Sequence, residues 1–213
     1  MRTDDLVAML STNVEPVGRS LVGRTISIAV AAGVVTALGI MLVALGVRAD
    51  LTTTHATVFL LLKVAFGLAV VGVAMRYLTR LARPGAERGI SPLVIAVPFA
   101  AIALIGAISL GVAPSSHWNR MILGDQWLEC LLSIPIIAVV PFAVTIFAVR
   151  RAAPTNLVRT GAVAGLIAGG VSAMAYAVHC TDDSLPFVAV WYGSTIVLCT
   201  LAGAALGPRL LRW

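Results

Sequence analysis

Six apolar blocks, at about residues 25–46, 57–78, 91–113, 128–149, 159–179 and 187–206, constrain this chain more than any motif in it. Each is close to the ~20 residues an α-helix needs to cross ~30 Å of hydrocarbon. With 60% apolar and 11% charged residues and a mean hydropathy of +1.01, the chain lacks the polar surface that keeps a soluble domain in solution. The expectation is an all-α integral membrane bundle of six transmembrane helices. The connections are too short for an aqueous domain, so residues 25–213 form one transmembrane unit and residues 1–24 a separate N-terminal segment. Asp4, Asp5 and Glu15 stand where a secretory signal carries basic residues, and the first block exceeds a signal's apolar region, so it is read as a retained span.

Arginine placement orients the bundle, because short loops rich in Lys and Arg stay cytoplasmic. Arg2, Arg19, Arg24, Arg76, Arg80, Arg83, Arg88, Arg150, Arg151, Arg159, Arg209 and Arg212 fall on one side, against Arg48 and Arg120 on the other. This bias predicts both termini in the cytoplasm, consistent with an even number of spans. The net charge of +6 is mostly this belt, which fits anionic lipid headgroups and argues against direct nucleic-acid binding.

Gly161, Gly165 and Gly169, continued by Ala173 and Ala177, form a row of small residues four apart, the pattern of a close helix contact in lipid. Ala29, Gly33 and Ala37 make a weaker row in the first span, and Gly203 with Gly207 another in the last. Pro98, Pro135 and Pro141 lie inside the third and fourth spans and make the fourth the most kinkable helix.

Few side chains here can carry chemistry. There is no phosphate loop, nucleophile elbow or His-Glu-x-x-His pattern, so no enzyme is expected. Ser133, Ser172 and Ser194 are read as hydroxyls that bond back to their own helices. Lys63 is the only charge well inside a span. It is read as snorkelling to the nearby outer interface, while an ion path through it would make the chain a small metal or ion transporter of the inner membrane.

The cysteines are more informative. Cys130 opens the fourth block and Cys180 follows the fifth, and their midpoint, residue 155, falls in the turn between the two. An antiparallel hairpin then brings both sulfurs to the same height on the outer side. Glu129, His179, Asp182 and Asp183 complete a candidate donor set with Cys130 and Cys180 for a soft or borderline divalent metal. The pair is open to three readings: a redox or metal-responsive site, a constitutive disulfide, or two unrelated thiols. Cys199, deep in the sixth span, reads as a packing residue.

At the N-terminus Thr3 can cap a short amphipathic helix with Asp4 and Asp5 in its first turn, Leu6, Met9 and Leu10 on one face, and Pro16 with Gly18 closing it. Too short to be stable alone in water, it is either a frayed interfacial tail or a segment that orders on a cytoplasmic partner.

Seven short motifs then converge: Thr-Asp-Asp-Leu at 3–6, Trp-Leu-Glu-Cys at 127–130 with Ile134-Pro135, Arg-Ala-Ala-Pro-Thr at 151–155, His-Cys-Thr-Asp-Asp at 179–183, Trp-Tyr-Gly at 191–193 and Gly-Pro-Arg-Leu-Leu-Arg-Trp at 207–213. In order and spacing they resemble the negative-regulator-of-sigma-F family of bacterial integral membrane anti-sigma factors. The resemblance implies a bacterial inner-membrane protein that holds an extracytoplasmic-function sigma factor inactive until heavy-metal or oxidative stress is sensed. It makes Cys130 and Cys180 the sensor pair, a divalent heavy metal a candidate signal ligand, and Asp4, Asp5 and Leu6 candidate partner contacts. The His-x-x-x-Cys-x-x-Cys pattern of soluble zinc-containing anti-sigma proteins is absent.

Overall fold

The computed structural model describes residues 3–11, 21–82, 91–152 and 154–212. These are helical apart from turns and loops, with no strand among them. The helices are α1 (Thr3–Ser11), α2 (Leu21–Ala44), α3 (Thr54–Leu81), α4 (Ala96–Val112), α5 (Trp118–Leu123), α6 (Trp127–Arg150), α7 (Leu157–Tyr176), a single turn α8 (Leu185–Phe187), a π-helical turn (Val188–Tyr192) and α9 (Gly193–Leu210). Six segments are long and apolar enough to cross a membrane, as the six blocks predict. Pro16 and Gly18, expected to close the N-terminal helix, four of the arginines (Arg2, Arg19, Arg83, Arg88) and the Leu10 side chain lie outside the described residues.

The centre of the bundle is α7. It packs most extensively on α9 and also meets α3, α6 and α2. Its apolar window is 72% buried, against 17% for the span that contains α4, which leaves α4 peripheral with Val97, Leu104, Ile108 and Val112 facing outward. Outward apolar side chains are what a hydrocarbon solvent demands, so burial in this fold is set by close packing between helices.

Glycine builds the α7–α9 seam. A Cβ on Gly161 would collide with the carbonyl oxygen of Gly203 and sit 2.6 Å from the Gly207 Cα, and one on Gly165 would collide with the Cys199 carbonyl. The predicted row of small residues is thus a backbone-to-backbone contact, answered from α9 by Gly203 and Gly207. Smaller versions recur where a Cβ on Gly33 of α2 would lie 3.3 Å from Pro141 of α6, and where Gly67 of α3 faces Gly170 of α7. Helix α6 runs through both Pro135 and Pro141, and the Thr145 hydroxyl donates to the Pro141 carbonyl at 2.8 Å.

Helix α1 (Thr3–Ser11) is amphipathic, with Asp4 and Asp5 in its first turn. Its described side chains are exposed, including Leu6, Val7 and Met9.

Candidate functional site: a cysteine pair laced to a buried ion network

Short loops after α2, before α6 and after α7 meet at one end of the bundle. Cys130 lies in the first turn of α6, and its N–H donates to the Gln126 carbonyl at 2.9 Å. Helix α7 ends at Tyr176, earlier than the fifth apolar block, and Cys180 lies four residues beyond, its N–H still donating to the Tyr176 carbonyl at 3.0 Å. Both thiols are free and completely buried, and both belong to one apolar cluster.

The two loops are laced by polar side chains. Asp182 accepts from the backbone N–H of Asp125 at 3.1 Å and of Gln126 at 2.7 Å, closing the N-terminus of α6, where a carboxylate satisfies orphan donors and the helix dipole. In return the Gln126 side chain accepts from the Thr181 N–H at 3.0 Å. The Ser184 hydroxyl donates to the Met121 carbonyl at 2.5 Å, and Trp191 Nε1 to the Ile122 carbonyl at 2.8 Å. The segment that precedes Cys130 and the one that follows Cys180 are therefore tied to each other.

Below the Cys180 loop lies an ion network that the sequence reading did not assemble. Arg48, in the loop between α2 and α3, donates from Nε and Nη2 to the Asp50 carboxylate at 2.7 and 2.8 Å. Its Nη1 and Nη2 donate to the Asp183 carboxylate at 2.9 and 2.7 Å, and Nη1 also to the Cys180 carbonyl at 2.8 Å. All five guanidinium N–H donors are thereby used. Lys63, from α3, donates to the same two acceptors, the Cys180 carbonyl and Asp183 Oδ1, each at 3.1 Å, and its Nζ lies 5.9 Å from the Tyr192 ring centre. The Arg48 and Lys63 side chains are 1% and 0% exposed, and Asp183 7%. Two buried cations face the Asp50 and Asp183 carboxylates, so these four charges balance, as burial requires, and the exposed His55 ring lies against the same Asp183 carboxylate with Nδ1 3.6 Å from Oδ2.

The titration of these groups follows. Burial raises the cost of ionising Asp183, but the hydrogen bonds and charges of Arg48 and Lys63 outweigh it and hold its pKa below the ordinary carboxylate value. Asp50, hydrogen-bonded to Arg48, is lowered to about 2, and the same bonds raise Arg48. Burial pushes the Cys180 thiol up; the Lys63 charge and the Tyr192 hydroxyl oppose this without offsetting it. The Tyr176 and Tyr192 hydroxyls are both fully buried with no hydrogen-bond partner among the described residues. Tyr192 reaches this position from the π-helical turn that precedes α9.

Two sequence expectations change. Lys63 does not snorkel: an internal carboxylate and carbonyl satisfy its ammonium, so the side chain turns inward. The six-donor metal set is not gathered either, and no group of three His, Cys, Asp or Glu donors suited to a metal occurs among the described residues. Glu129 is exposed, Asp182 is spent on the α6 N-terminus, Asp183 on the ion network, and His179 Nδ1 pairs with the Gly46 carbonyl at 3.2 Å. Of the six, Cys130 and Cys180 are the two that are completely buried, and their thiols are free. The hydroxyl of Ser194 bonds back to the Trp191 carbonyl as expected, whereas that of Ser172 is buried without a partner among the described residues.

Arg48 and Lys63 carried faint signals in the sequence. Arg48 is one of two arginines that break the charge bias, and Lys63 inside a span demands a counter-ion; both point to the acidic pair that follows Cys180. Gln126 gave none, since its role depends on the loop it meets.

Residues 10–213 match the family described as negative regulator of sigma F. A probable anti-sigma-F factor NrsF of Azospira oryzae is 30% identical over 213 residues, and the anti-sigma-F factor NrsF of Caulobacter vibrioides 31% over 216 residues, with both chains fully covered in each case. No solved structure matches.

Proposed function

The chain belongs to the negative-regulator-of-sigma-F family, and we propose that it is a multi-pass anti-sigma factor of the bacterial inner membrane that binds an extracytoplasmic-function sigma factor and releases it on heavy-metal or oxidative stress sensed at Cys130 and Cys180. The observation that carries the sensing part is that two free, buried thiols, Cys130 in the first turn of α6 and Cys180 just after α7, adjoin two segments laced to each other. In this reading both termini are cytoplasmic, and the cysteine end faces the periplasm.

Two chemistries suit such a pair. A soft divalent metal replaces the two thiol protons and leaves the net charge of the buried site unchanged. A thiol oxidant instead takes two electrons and two protons as the disulfide forms. In either case the backbone beside both cysteines must adjust, and that motion reaches α6 and α7 at their ends. Helix α7 carries it through the core, and α6, interrupted by Pro135 and Pro141, is suited to respond by bending.

At the cytoplasmic end, the exposed α1 offers Leu6 and Met9, with Asp4 and Asp5 in its first turn, as a helix-in-groove ligand for the sigma factor, and the sequence pattern adds Leu10 to that face. Release that changes occupancy ten- to a hundred-fold requires the two bundle states to differ by ~2–3 kcal/mol in affinity for it. The test is co-purification of an extracytoplasmic-function sigma factor encoded in the same genome with the full chain from membranes, before and after cadmium or diamide. The wild type retains the sigma factor and loses it on treatment, while Leu6→Asp with Leu10→Asp weakens retention at least ten-fold without stress. Retention by the double variant at normal abundance would remove α1 from the binding surface.

A further inference from the structure

Two buried cations on one main-chain carbonyl is an uncommon use of charge in a membrane protein. Lys63 and Arg48 come from different elements, yet both donate to the Cys180 carbonyl and both to Asp183, three residues further on. The loop that carries Arg48 is docked on the same segment through its backbone, with the Arg48 N–H donating to the Val178 carbonyl at 3.2 Å and His179 Nδ1 meeting the Gly46 carbonyl. A buried ion cluster of this kind contributes little net stability compared with apolar residues of the same volume, because desolvation offsets most of the attraction. What it does supply is a fixed geometry, since all five Arg48 donors are matched to acceptors and Lys63 adds two more bonds to the same carbonyl and carboxylate.

We propose that Arg48 and Lys63 are positioning residues for the cysteine sensor: a charged clamp that holds the residue 178–183 segment closed, keeps the Cys180 thiol buried, and sets how much signal is needed to open the site. This rests on the sensor reading of Cys130 and Cys180. Closed, the segment excludes solvent from the sulfur, and a buried neutral thiol reacts slowly because the thiolate is the reactive form. Opening requires the Cys180 carbonyl and the Asp183 carboxylate to leave both cations together, so the clamp releases as a unit. Removing any one member leaves a buried charge uncompensated and favours the open state. Asp50, half-exposed, balances Arg48 from the loop side and lies at the edge of the clamp.

The inference gives Lys63 a role different from conduction. An ion path needs a site that fills and empties, whereas this ammonium has two internal partners and an aromatic face.

The experiment measures thiol reactivity directly on the full chain in native membranes, with N-ethylmaleimide as the probe. In a chain whose only cysteine is Cys180, alkylation is slow, and Lys63→Met or Asp183→Asn accelerates it at least ten-fold. In a chain whose only cysteine is Cys199, in the packed α7–α9 region, the same substitutions leave the rate within two-fold. The charge-neutral pair Lys63→Met with Asp183→Asn exceeds neither single variant, as expected for one unit. Equal acceleration of Cys180 and Cys199 would mean general loosening and would overturn the clamp, as would an unchanged Cys180 rate. Should Lys63→Met fail to accumulate, Arg48→Lys, which keeps the charge and loses the double fork, carries the same prediction. Alkylation does not depend on sigma-factor release, so the clamp and the sensor reading can fail separately.

Discussion

Asp183 joins what the sequence could say about this protein to what it could not. Its neighbour Cys180 stood out from spacing, and Asp183 itself was read as a metal donor. In the structure its carboxylate is occupied by Arg48 and Lys63 instead. The error has a physical origin. A carboxylate beside a cysteine looks like a ligand until its counter-ion is known, and here the counter-ions lie more than 100 positions earlier in the chain, at residues 48 and 63. The cysteines were legible because hairpin symmetry is a one-dimensional property; the ion network was not, because it depends on which faces of α3 and α7 meet. One prediction belongs at this scale. Asp50 and Asp183 have folded pKa values below the ordinary 3.8, so their contribution to stability is complete above that value and is lost as pH falls through the folded values, near 2 for Asp50. The thermal unfolding midpoint of the purified chain in detergent should be level from pH 8 to pH 5 and fall below about pH 4. Lys63→Met with Asp183→Asn should flatten that fall, and an identical acid profile in the double variant would place the acid-sensitive interaction elsewhere.

Among the elements, the α7–α9 pair was the most legible from the sequence. A row of glycines four apart has few uses in a transmembrane helix other than close approach, and Gly161 and Gly165 are where the two backbones touch. The partner was less obvious, since Gly203 and Gly207 read as a weak pattern until they faced α7. The short helix α5 and the π-helical turn before α9 gave no periodic signal, being too brief for one. The seam makes a clear prediction. Gly161→Leu places a side chain into the carbonyl of Gly203, an overpacking with no rotamer to relieve it, and should cost at least the upper end of the ~1–3 kcal/mol usual for such insertions. Membrane abundance of the variant should fall several-fold, while Gly72→Leu, where a Cβ meets nothing within 4 Å, should accumulate normally. Equal abundance of the two would mean that the seam does not limit folding.

At the scale of the whole molecule, one end of the bundle carries thiols and a closed ion network, and the arginine-rich turns and exposed α1 belong to the other in the proposed topology. The charge bias predicts that reporter fusions after residue 85 and after Trp213 behave as cytoplasmic and one near Ser116 as external. An external C-terminus would invert the molecule and expose the thiols to the reducing cytoplasm, where neither proposed chemistry would report on the periplasm. Between the two ends, α6 and α7 are the direct connection, since each begins or ends beside a cysteine and each packs against most of the bundle. The central claim is that Cys130 and Cys180 act as one site whose change of state releases the sigma factor. It is tested most directly by transcription from a sigma-dependent promoter under cadmium or diamide, in Cys130→Ser, Cys180→Ser, the double variant and Cys199→Ser, with membrane abundance measured in each. The account predicts that either single substitution abolishes the response, that the double variant does no more than one, and that Cys199→Ser responds as the wild type does. A full response from the double variant at normal abundance would contradict it.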